Sequence, residues 1–272
     1  MTVLLPILQV DKPWGSTHLP APFATPEGRR IGEIWFEPPV ALPELLVKYI
    51  FATDKLSVQV HPNDAQTLAK GLGRQGKEEC WLVIAAEPGA RLGIGFHQPI
   101  SAQAMRAAAL DGSIENLLVW HPVAAGDFFY IPANTVHAIG AGVSVIEIQQ
   151  NSDITYRLFD YGRPRELHLD DGLAVALGQV YDLARWYRHV PPQGTVQLVD
   201  GPFFRLDRVQ GTIDPATRMR FAKGPFLLVP VSGSVRVSGE LVPPGACALV
   251  SDVAAISADA DALVLLAQAV RG

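Results

Sequence analysis

Short runs of β-branched and aromatic residues, separated by proline, glycine and asparagine, constrain the fold of this 272-residue chain more than any other feature. Such runs predict strands, and the 24 glycines and 22 prolines favour many short strands joined by turns. The predicted strands of the first two-thirds are 45–51, 55–60, 78–85, 127–131, 143–149 and 154–160. The predicted helices are 65–70, 102–110, 114–119 and 169–177. We therefore predict a mainly β protein.

A proline-rich stretch at 191–194 divides the chain. The residues after it carry strand signals and almost no helical ones. Within them, 244–250 resembles 125–131, since each has a glycine turn followed by an apolar strand. We therefore predict two related β units, 1–190 and 191–272.

Composition and charge exclude several partners. The 22 basic and 27 acidic residues give a net charge of -5, so we expect no nucleic-acid partner. The longest uncharged run, 128–146, contains Pro132 and Asn134 and predicts strand, turn and strand, so we expect no membrane partner. Two distant cysteines, Cys80 and Cys247, together with a poor signal sequence at the start, favour a reduced, cytoplasmic protein.

One predicted strand carries two polar side chains that suit a ligand site. Alternate side chains of an extended strand share one face of a sheet. In the segment 56–61 this alternation places Gln59 and His61 side by side, and Pro62 ends the strand. The alternative is a polar strand face that is open to solvent.

A second strand, within 76–84, places Lys77, Glu79 and Trp81 on one face. Burial of two charged groups beside a tryptophan is costly unless the charges are paired or bind a metal. The alternative is an exposed edge strand with both charges in water.

A further histidine, His137, follows a strand and a loop within 128–139. A single histidine in such a place is more often structural than a ligand. One small barrel would nevertheless bring together an amide, two imidazoles and a carboxylate, from Gln59, His61, His137 and Glu79. Imidazole nitrogens and carboxylate oxygens are usual ligands for zinc and similar ions, and such a set leaves a position for water or substrate.

Arg157 interrupts an otherwise apolar and aromatic strand at 154–160. A guanidinium there requires an anionic partner, and two kinds fit. One is a carboxylate of the protein, and the other is a substrate oxyanion or phosphate.

Several blocks of sequence carry a family resemblance. The four longer blocks are QVHPND at 59–64, GKEECW at 76–81, IPANTVHA at 131–138 and the segment 147–163. Shorter blocks lie at 12–15, 31–35 and 163–168. In this order, over residues 10–175, the sequence resembles the short bacterial type I mannose-6-phosphate isomerases of the cupin superfamily. The resemblance implies a cupin-type (jelly-roll) barrel with a few short helices at 1–190. It also implies a smaller cupin-like β domain, without metal ligands, at 191–272.

The same resemblance implies a site and a reaction. It implies an enzyme with one Zn²⁺ per chain that interconverts mannose 6-phosphate and fructose 6-phosphate. His61, Glu79 and His137 match the family's zinc ligands, and Gln59 matches a fourth ligand. The partner would be a small phosphosugar, and the oligomeric state stays open.

Three further residues are implied or suggested for the chemistry. Arg157 matches the family's catalytic arginine, which would stabilise the oxyanion of a cis-enediol. Lys77 matches a pocket lysine and would either bind the phosphate or act as the base. Asp153 is a second candidate for the base and for substrate binding.

Two other functions compete with this interpretation. Two histidines and one carboxylate also form the iron site of non-haem dioxygenases, although the cations Lys77 and Arg157 suit a phosphorylated substrate better. The other alternative is a non-catalytic sugar-binding cupin. Neither a helix-turn-helix segment nor a basic patch supports a regulatory protein.

Overall fold

A computed structural model describes residues 2–270, in which four antiparallel sheets account for most of the regular structure. The strands up to residue 190 are β1 (Thr2–Leu4), β2 (Ile7–Ser16), β3 (Ile31–Phe36), β4 (Leu45–Ala52), β5 (Val58–Val60), β6 (Glu79–Ala86), β7 (Arg91–Phe96), β8 (Leu118–Pro122), β9 (Asp127–Ile131), β10 (His137–Ile139), β11 (Val143–Gln150), β12 (Tyr156–Phe159) and β13 (Tyr187–His189). The later strands are β14 (Val196–Asp200), β15 (Phe204–Gln210), β16 (Phe226–Ser232), β17 (Val235–Val237), β18 (Glu240–Val242), β19 (Ala248–Val250), β20 (Ile256–Ala258) and β21 (Leu263–Ala269). The helices are α1 (Asp64–Ala69), α2 (Ala102–Asp111), α3 (Ile114–Leu117), α4 (Leu169–Val175), α5 (Leu183–Trp186) and α6 (Pro215–Arg220). No helix in this described part of the chain is long and apolar enough to cross a membrane.

Two sheets face each other and enclose the candidate site. The larger has the strand order β13-β9-β6-β11-β4-β3-β2, and the smaller has the order β12-β5-β10-β7-β8. Ile50 and Trp81 of the larger sheet pack in one core with Leu92 and Ile94 of the smaller. The space between the sheets therefore holds an apolar core, and the polar site lies beside it.

Helices cover the outer face of the smaller sheet. Val58 and Val60 of β5 pack there in a core with Met105 of α2 and Val175 of α4. Because side chains alternate along a strand, outward Val58 and Val60 require that Gln59 point inward.

The outer face of the larger sheet packs against the C-terminal part of the chain. Ile146 and Ile148 of β11 share a core with Leu206 of β15 and Leu265 of β21. These last two strands belong to a six-stranded sheet with the order β1-β19-β16-β21-β15-β14. A separate core lies between its other face and the three-stranded sheet β18-β17-β20.

The elements predicted from the sequence are present, and the mainly β prediction is confirmed. The main boundary difference is at β5, which begins at Val58 instead of residue 55 because the chain bends at Thr53 and Asp54. Several strands before residue 190 were not predicted, among them β7, in which Gly93 and Gly95 weaken the strand signal. A Cβ atom on Gly93 would lie 3.2 Å from the Trp120 ring, so a larger residue there would require the ring to shift.

The first residues of the chain join the C-terminal sheet. Thr2 pairs with Val250 and Leu4 with Ala248, so β1 is an edge strand beside β19. The division into 1–190 and 191–272 stays a prediction. Strand β1 belongs to the first unit by its position in the sequence but pairs with a strand of the second.

Candidate metal centre

Strand β5 places three polar side chains next to one another. In the smaller sheet Gln59 lies opposite His137 of β10 on one side and Arg157 of β12 on the other. Directly opposite residues of antiparallel strands have adjacent side chains, so all three project together between the sheets. His61 follows Gln59 by two residues and points into the same space.

Glu79 enters this space from the larger sheet, at the start of β6. Its carboxylate oxygens lie 3.3 Å from His137 Nε2 and 3.6 Å from His61 Nε2. The ligand atoms of these three buried side chains all lie within 4.8 Å of one another. The Gln59 amide lies 3.2 Å from His137 Nε2. The fold thus brings together the four side chains that the sequence selected as candidate ligands.

Backbone carbonyls orient both imidazoles. His61 Nδ1 donates to Ile154 O at 2.9 Å, and His137 Nδ1 donates to Thr135 O at 2.9 Å. Each ring therefore presents an unprotonated Nε2 on the side of Glu79, where His61 Nε2 lies 3.1 Å from Lys77 Nζ and His137 Nε2 lies 3.2 Å from the Gln59 amide. A carbonyl on the far nitrogen is the usual way in which proteins fix a metal-binding histidine.

Burial sets the protonation of these groups in a direction that suits a metal. Burial lowers the pKa of His61 well below its ordinary value and that of His137 to about 4, so both rings are neutral near pH 7. Burial also raises the pKa of Glu79 to about 7. Among residues 2–270, neither Glu79 oxygen accepts a well-directed hydrogen bond, although Lys77 Nζ lies 2.6 Å from Oε2. Two neutral imidazoles and such a carboxylate fit a divalent cation.

Asparagines tie together the loops that carry the two histidines. Asn134 has a φ of 72°, and its backbone N–H and side-chain amide donate to His61 O at 2.8 and 3.2 Å. Asn63, the N-cap of α1, donates through Nδ2 to Asn134 Oδ1 at 3.3 Å. Asparagine tolerates the left-handed region better than most residues do, which accounts for its place in the block that ends at His137.

A row of buried polar groups crosses the larger sheet beside the candidate ligands. Lys48 of β4 lies opposite Glu147 of β11, and Glu147 lies opposite Trp81 of β6. Glu147 accepts hydrogen bonds from Lys48 Nζ at 3.1 Å and from Trp81 Nε1 at 3.0 Å, and Lys77 Nζ lies 3.9 Å away. Burial opposes the charge of Glu147, but Lys77 and Lys48 outweigh it and lower its pKa to about 2.

Lys48, Lys77 and Glu147 line a cleft of about 310 Å³ between the two sheets. Its wall includes Gln59 and Lys77, which contact the histidines. Five cations and three carboxylates line it: Lys12, Lys48, Lys77, Arg157, Arg165, Glu33, Glu147 and Asp153. The excess of cations suits an anionic ligand.

Arg157 and Asp153, two further residues selected from the sequence, also line this cleft. Asp153 is exposed, whereas Arg157 is half-buried and donates through Nε to Glu166 O at 2.9 Å. Within residues 2–270, Arg157 forms no ion pair with a carboxylate, although several other arginines do. A substrate anion as the partner of Arg157 stays a prediction.

Sequence analysis did not select Lys48 or Glu147. Each is the one charged residue of its strand, in LLVKYIFA and in VSVIEIQQ. A lone charge in an apolar strand is the signal that selected Arg157, and the same signal would have found both.

Comparison with known proteins supports the resemblance. No protein-family model matches the sequence. The chain is 39% identical over 202 residues to the mannose-6-phosphate isomerase of Streptococcus mutans, an alignment that covers 71% of this chain and 62% of that protein. It is 36% identical over 210 residues to mannose-6-phosphate isomerase ManA of Bacillus subtilis, which covers 74% and 65% respectively. The chain thus spans less than two-thirds of the length of these curated relatives.

Solved structures agree in fold over almost the whole chain. The mannose 6-phosphate isomerase of Bacillus subtilis has a TM-score of 0.82 at 20% identity, covering 98% of this chain and 99% of that one. A mutant phosphomannose isomerase of Salmonella typhimurium has a TM-score of 0.74 at 14% identity, covering 98% of each chain. The predicted cupin-type fold is confirmed, and the chain has the fold of the phosphomannose isomerases and the sequence resemblance to mannose-6-phosphate isomerases that its motifs predict.

Proposed function

We propose that this chain is a metal-dependent aldose–ketose isomerase that interconverts mannose 6-phosphate and fructose 6-phosphate. The observation that carries the proposal is the set of His61, Glu79 and His137 beside a cleft with an excess of cations. The names of its relatives in Streptococcus mutans and Bacillus subtilis support the same reaction. The free, buried thiols of Cys80 and Cys247 support a reducing, cytoplasmic location.

The residues that would hold the metal are His61, Glu79 and His137, with Gln59 as the fourth ligand. Two imidazole nitrogens and carboxylate oxygen suit Zn²⁺, so we assign one Zn²⁺ per chain. A half turn of the Gln59 amide would aim Oε1 at this centre. When bound, such an ion supplies a Lewis acid for the sugar oxygens.

Two cations act on the sugar. Arg157, adjacent to Gln59 in the smaller sheet, stabilises the negative charge that develops on oxygen in the cis-enediol. Burial opposes the charge of Lys77, but Glu147 and Glu79 outweigh it and raise its pKa. This direction favours Lys77 as a cation that binds the sugar phosphate over Lys77 as the base.

The reaction also needs a group that moves the proton between C1 and C2. Glu147 lies in the cleft beside Lys77 and Lys48, which keep its carboxylate ionised and able to accept a proton. We assign proton transfer to Glu147. Asp153, exposed in the cleft wall, then accepts hydrogen bonds from the hydroxyls of the sugar.

A coupled colorimetric assay of fructose 6-phosphate formation, together with analysis of the metal content of the protein, tests the proposal. We expect turnover of mannose 6-phosphate, its loss after chelation and its return with Zn²⁺. His137→Ala should lose metal and turnover together, and Arg157→Ala should keep metal but lose about 100-fold in rate, the scale of one preorganised electrostatic group.

Arg236→Ala, at an exposed position of β17, is the control and should leave the rate unchanged. Full activity of Arg157→Ala would contradict its assigned role. Iron in the purified protein together with oxygen uptake would favour the dioxygenase alternative.

A further inference from the structure

We infer that Gln149 is a positioning residue that fixes two parts of the centre at once, the Lys48 ammonium and the turn that orients His61. Gln149 lies on β11, opposite Glu79 in the larger sheet, and its side chain is fully buried. Its link to turnover rests on the proposed function, whereas its link to metal affinity does not.

The oxygen of Gln149 holds Lys48. Lys48 Nζ donates to Gln149 Oε1 at 2.6 Å and to Glu147 Oε1 at 3.1 Å. The ammonium also lies 4.5 Å from the centre of the Trp35 ring. Two hydrogen-bond acceptors and one ring therefore leave the ammonium a single position in the cleft wall.

The nitrogen of Gln149 holds the turn that follows β11. Nε2 donates to Gln150 O at 2.8 Å and to Ser152 O at 2.6 Å. Two residues beyond Ser152, the carbonyl of Ile154 accepts the hydrogen bond from His61 Nδ1. Gln149 thus holds the turn that leads to the carbonyl orienting His61, and acts on that carbonyl through Ser152.

Only an amide of this length satisfies both demands. The site needs one acceptor for Lys48 and two N–H donors for the carbonyls, and a buried group that loses a partner costs free energy. Glutamate would keep the acceptor but set a second oxygen against two carbonyls. Methionine would fill the volume and remove both functions.

The experiment compares Gln149→Met, Gln149→Glu and a matched control, Gln268→Met. Gln268 of β21 is also a buried glutamine, and its Nε2 also donates to turn carbonyls, those of Lys223 and Gly224, but it lies in the C-terminal sheet. Zn²⁺ affinity is measured by competition with a chromophoric chelator, stability by urea unfolding, and kcat and KM with mannose 6-phosphate.

We expect both methionine variants to lose stability, and only Gln149→Met to lose Zn²⁺ affinity, by about tenfold, the lower range for groups behind metal ligands. The kcat of Gln149→Met should fall. Saturating Zn²⁺ should restore it only in part, because Lys48 still lacks its hydrogen bond to the side chain of residue 149. Gln149→Glu should lose Zn²⁺ affinity as well, since it cannot hold the turn. If Gln149→Met does not fold, Gln149→Asn, one methylene shorter, takes its place with the same expected loss.

Equal Zn²⁺ affinity in wild type and all Gln149 variants would overturn the inference and leave Gln149 a structural residue. Because Zn²⁺ affinity needs no substrate, this result is separate from a failure of the proposed function. In that second case wild-type protein would bind Zn²⁺ but not isomerise mannose 6-phosphate.

Discussion

Burial acts in opposite directions on the acid and on the bases of the metal centre. It raises the pKa of Glu79 to about 7, and it lowers the pKa of His137 to about 4 and that of His61 well below its usual range. In each case the neutral form is favoured. Near pH 6 the metal-free site therefore carries a proton on Glu79 and none on either ring, so Glu79 is the group whose proton competes with the metal.

This order of protonation predicts the pH dependence of Zn²⁺ affinity. Below pH 7 binding must release one proton from Glu79, so the association constant should rise about tenfold per pH unit from pH 5 to 7 and then level off. A steeper dependence is expected only near pH 4, where His137 takes up a proton. Competition titrations between pH 5 and 8 measure this slope. A flat profile from pH 5 to 7 would mean that Lys77 already keeps Glu79 ionised.

At the scale of residues, strand alternation accounts for what the sequence could predict. It placed Gln59 with His61, and Lys77 with Glu79, on shared faces of their strands, and in the structure both pairs point inward. Strand alternation does not predict which strands lie next to each other in a sheet. The contact of Lys48 with Glu147 depends on pairing between strands 99 residues apart, which no local pattern specifies.

The entry to strand β6 depends on a glycine. A Cβ atom on Gly76 would lie 2.4 Å from the backbone carbon of Asn63 and 2.5 Å from Pro62 O. Two hydrogen bonds also join these segments: Gly76 N donates to Asp64 Oδ1, and Lys77 N donates to Pro62 O. Gly76 therefore lets the loop after His61 lie directly against the strand that carries Glu79.

We expect Gly76→Ala to separate these two segments. The contact is with backbone atoms, which cannot move aside as a side chain can, so the free energy of unfolding should fall by about 1–3 kcal/mol. Zn²⁺ affinity should fall at least about tenfold as His61 moves from Glu79. Gly201→Ala is the control, since a Cβ atom on Gly201 would lie 3.4 Å from its nearest neighbour, Cγ1 of Val199, which is an ordinary contact. Urea unfolding measures the free energy of unfolding, and chelator competition measures the Zn²⁺ affinity. A wild-type Zn²⁺ affinity in Gly76→Ala would show that the loop adjusts without moving His61.

Helices and strands could be predicted where neighbouring residues in the sequence determine them. They were missed where contacts with distant residues determine them. Helix α2 was predicted to within one residue, 102–110 against Ala102–Asp111, because Ser101 caps it and Gly112 ends it in the left-handed region. Strand β7 was missed because its glycines serve contacts with distant groups, Gly93 with Trp120 and Gly95 with Tyr181. Such contacts exist only after the chain has folded.

At the scale of the molecule, one core joins the two predicted units. Tyr49 and Ile146 of the larger sheet lie in the same buried cluster as Phe204 and Leu265 of the C-terminal sheet. Separation of the units would expose this core to water, at about 25 cal/mol for each Å² of apolar surface. The linker at 191–194 therefore marks a change in the pattern of the sequence and does not by itself mark an independent folding unit.

A shared core predicts that both units unfold together, and the chain offers a probe for each. All five tryptophans lie before residue 190, and Cys247 lies buried in the C-terminal unit. In a Cys80→Ala background, tryptophan fluorescence and the reactivity of Cys247 toward a thiol reagent should change at the same urea concentration. Leu266→Ala, in the core between the two C-terminal sheets, should lower the fluorescence midpoint through a loss of about 2–5 kcal/mol. Separate midpoints, with fluorescence unmoved by Leu266→Ala, would mean that residues 191–272 fold as an independent domain.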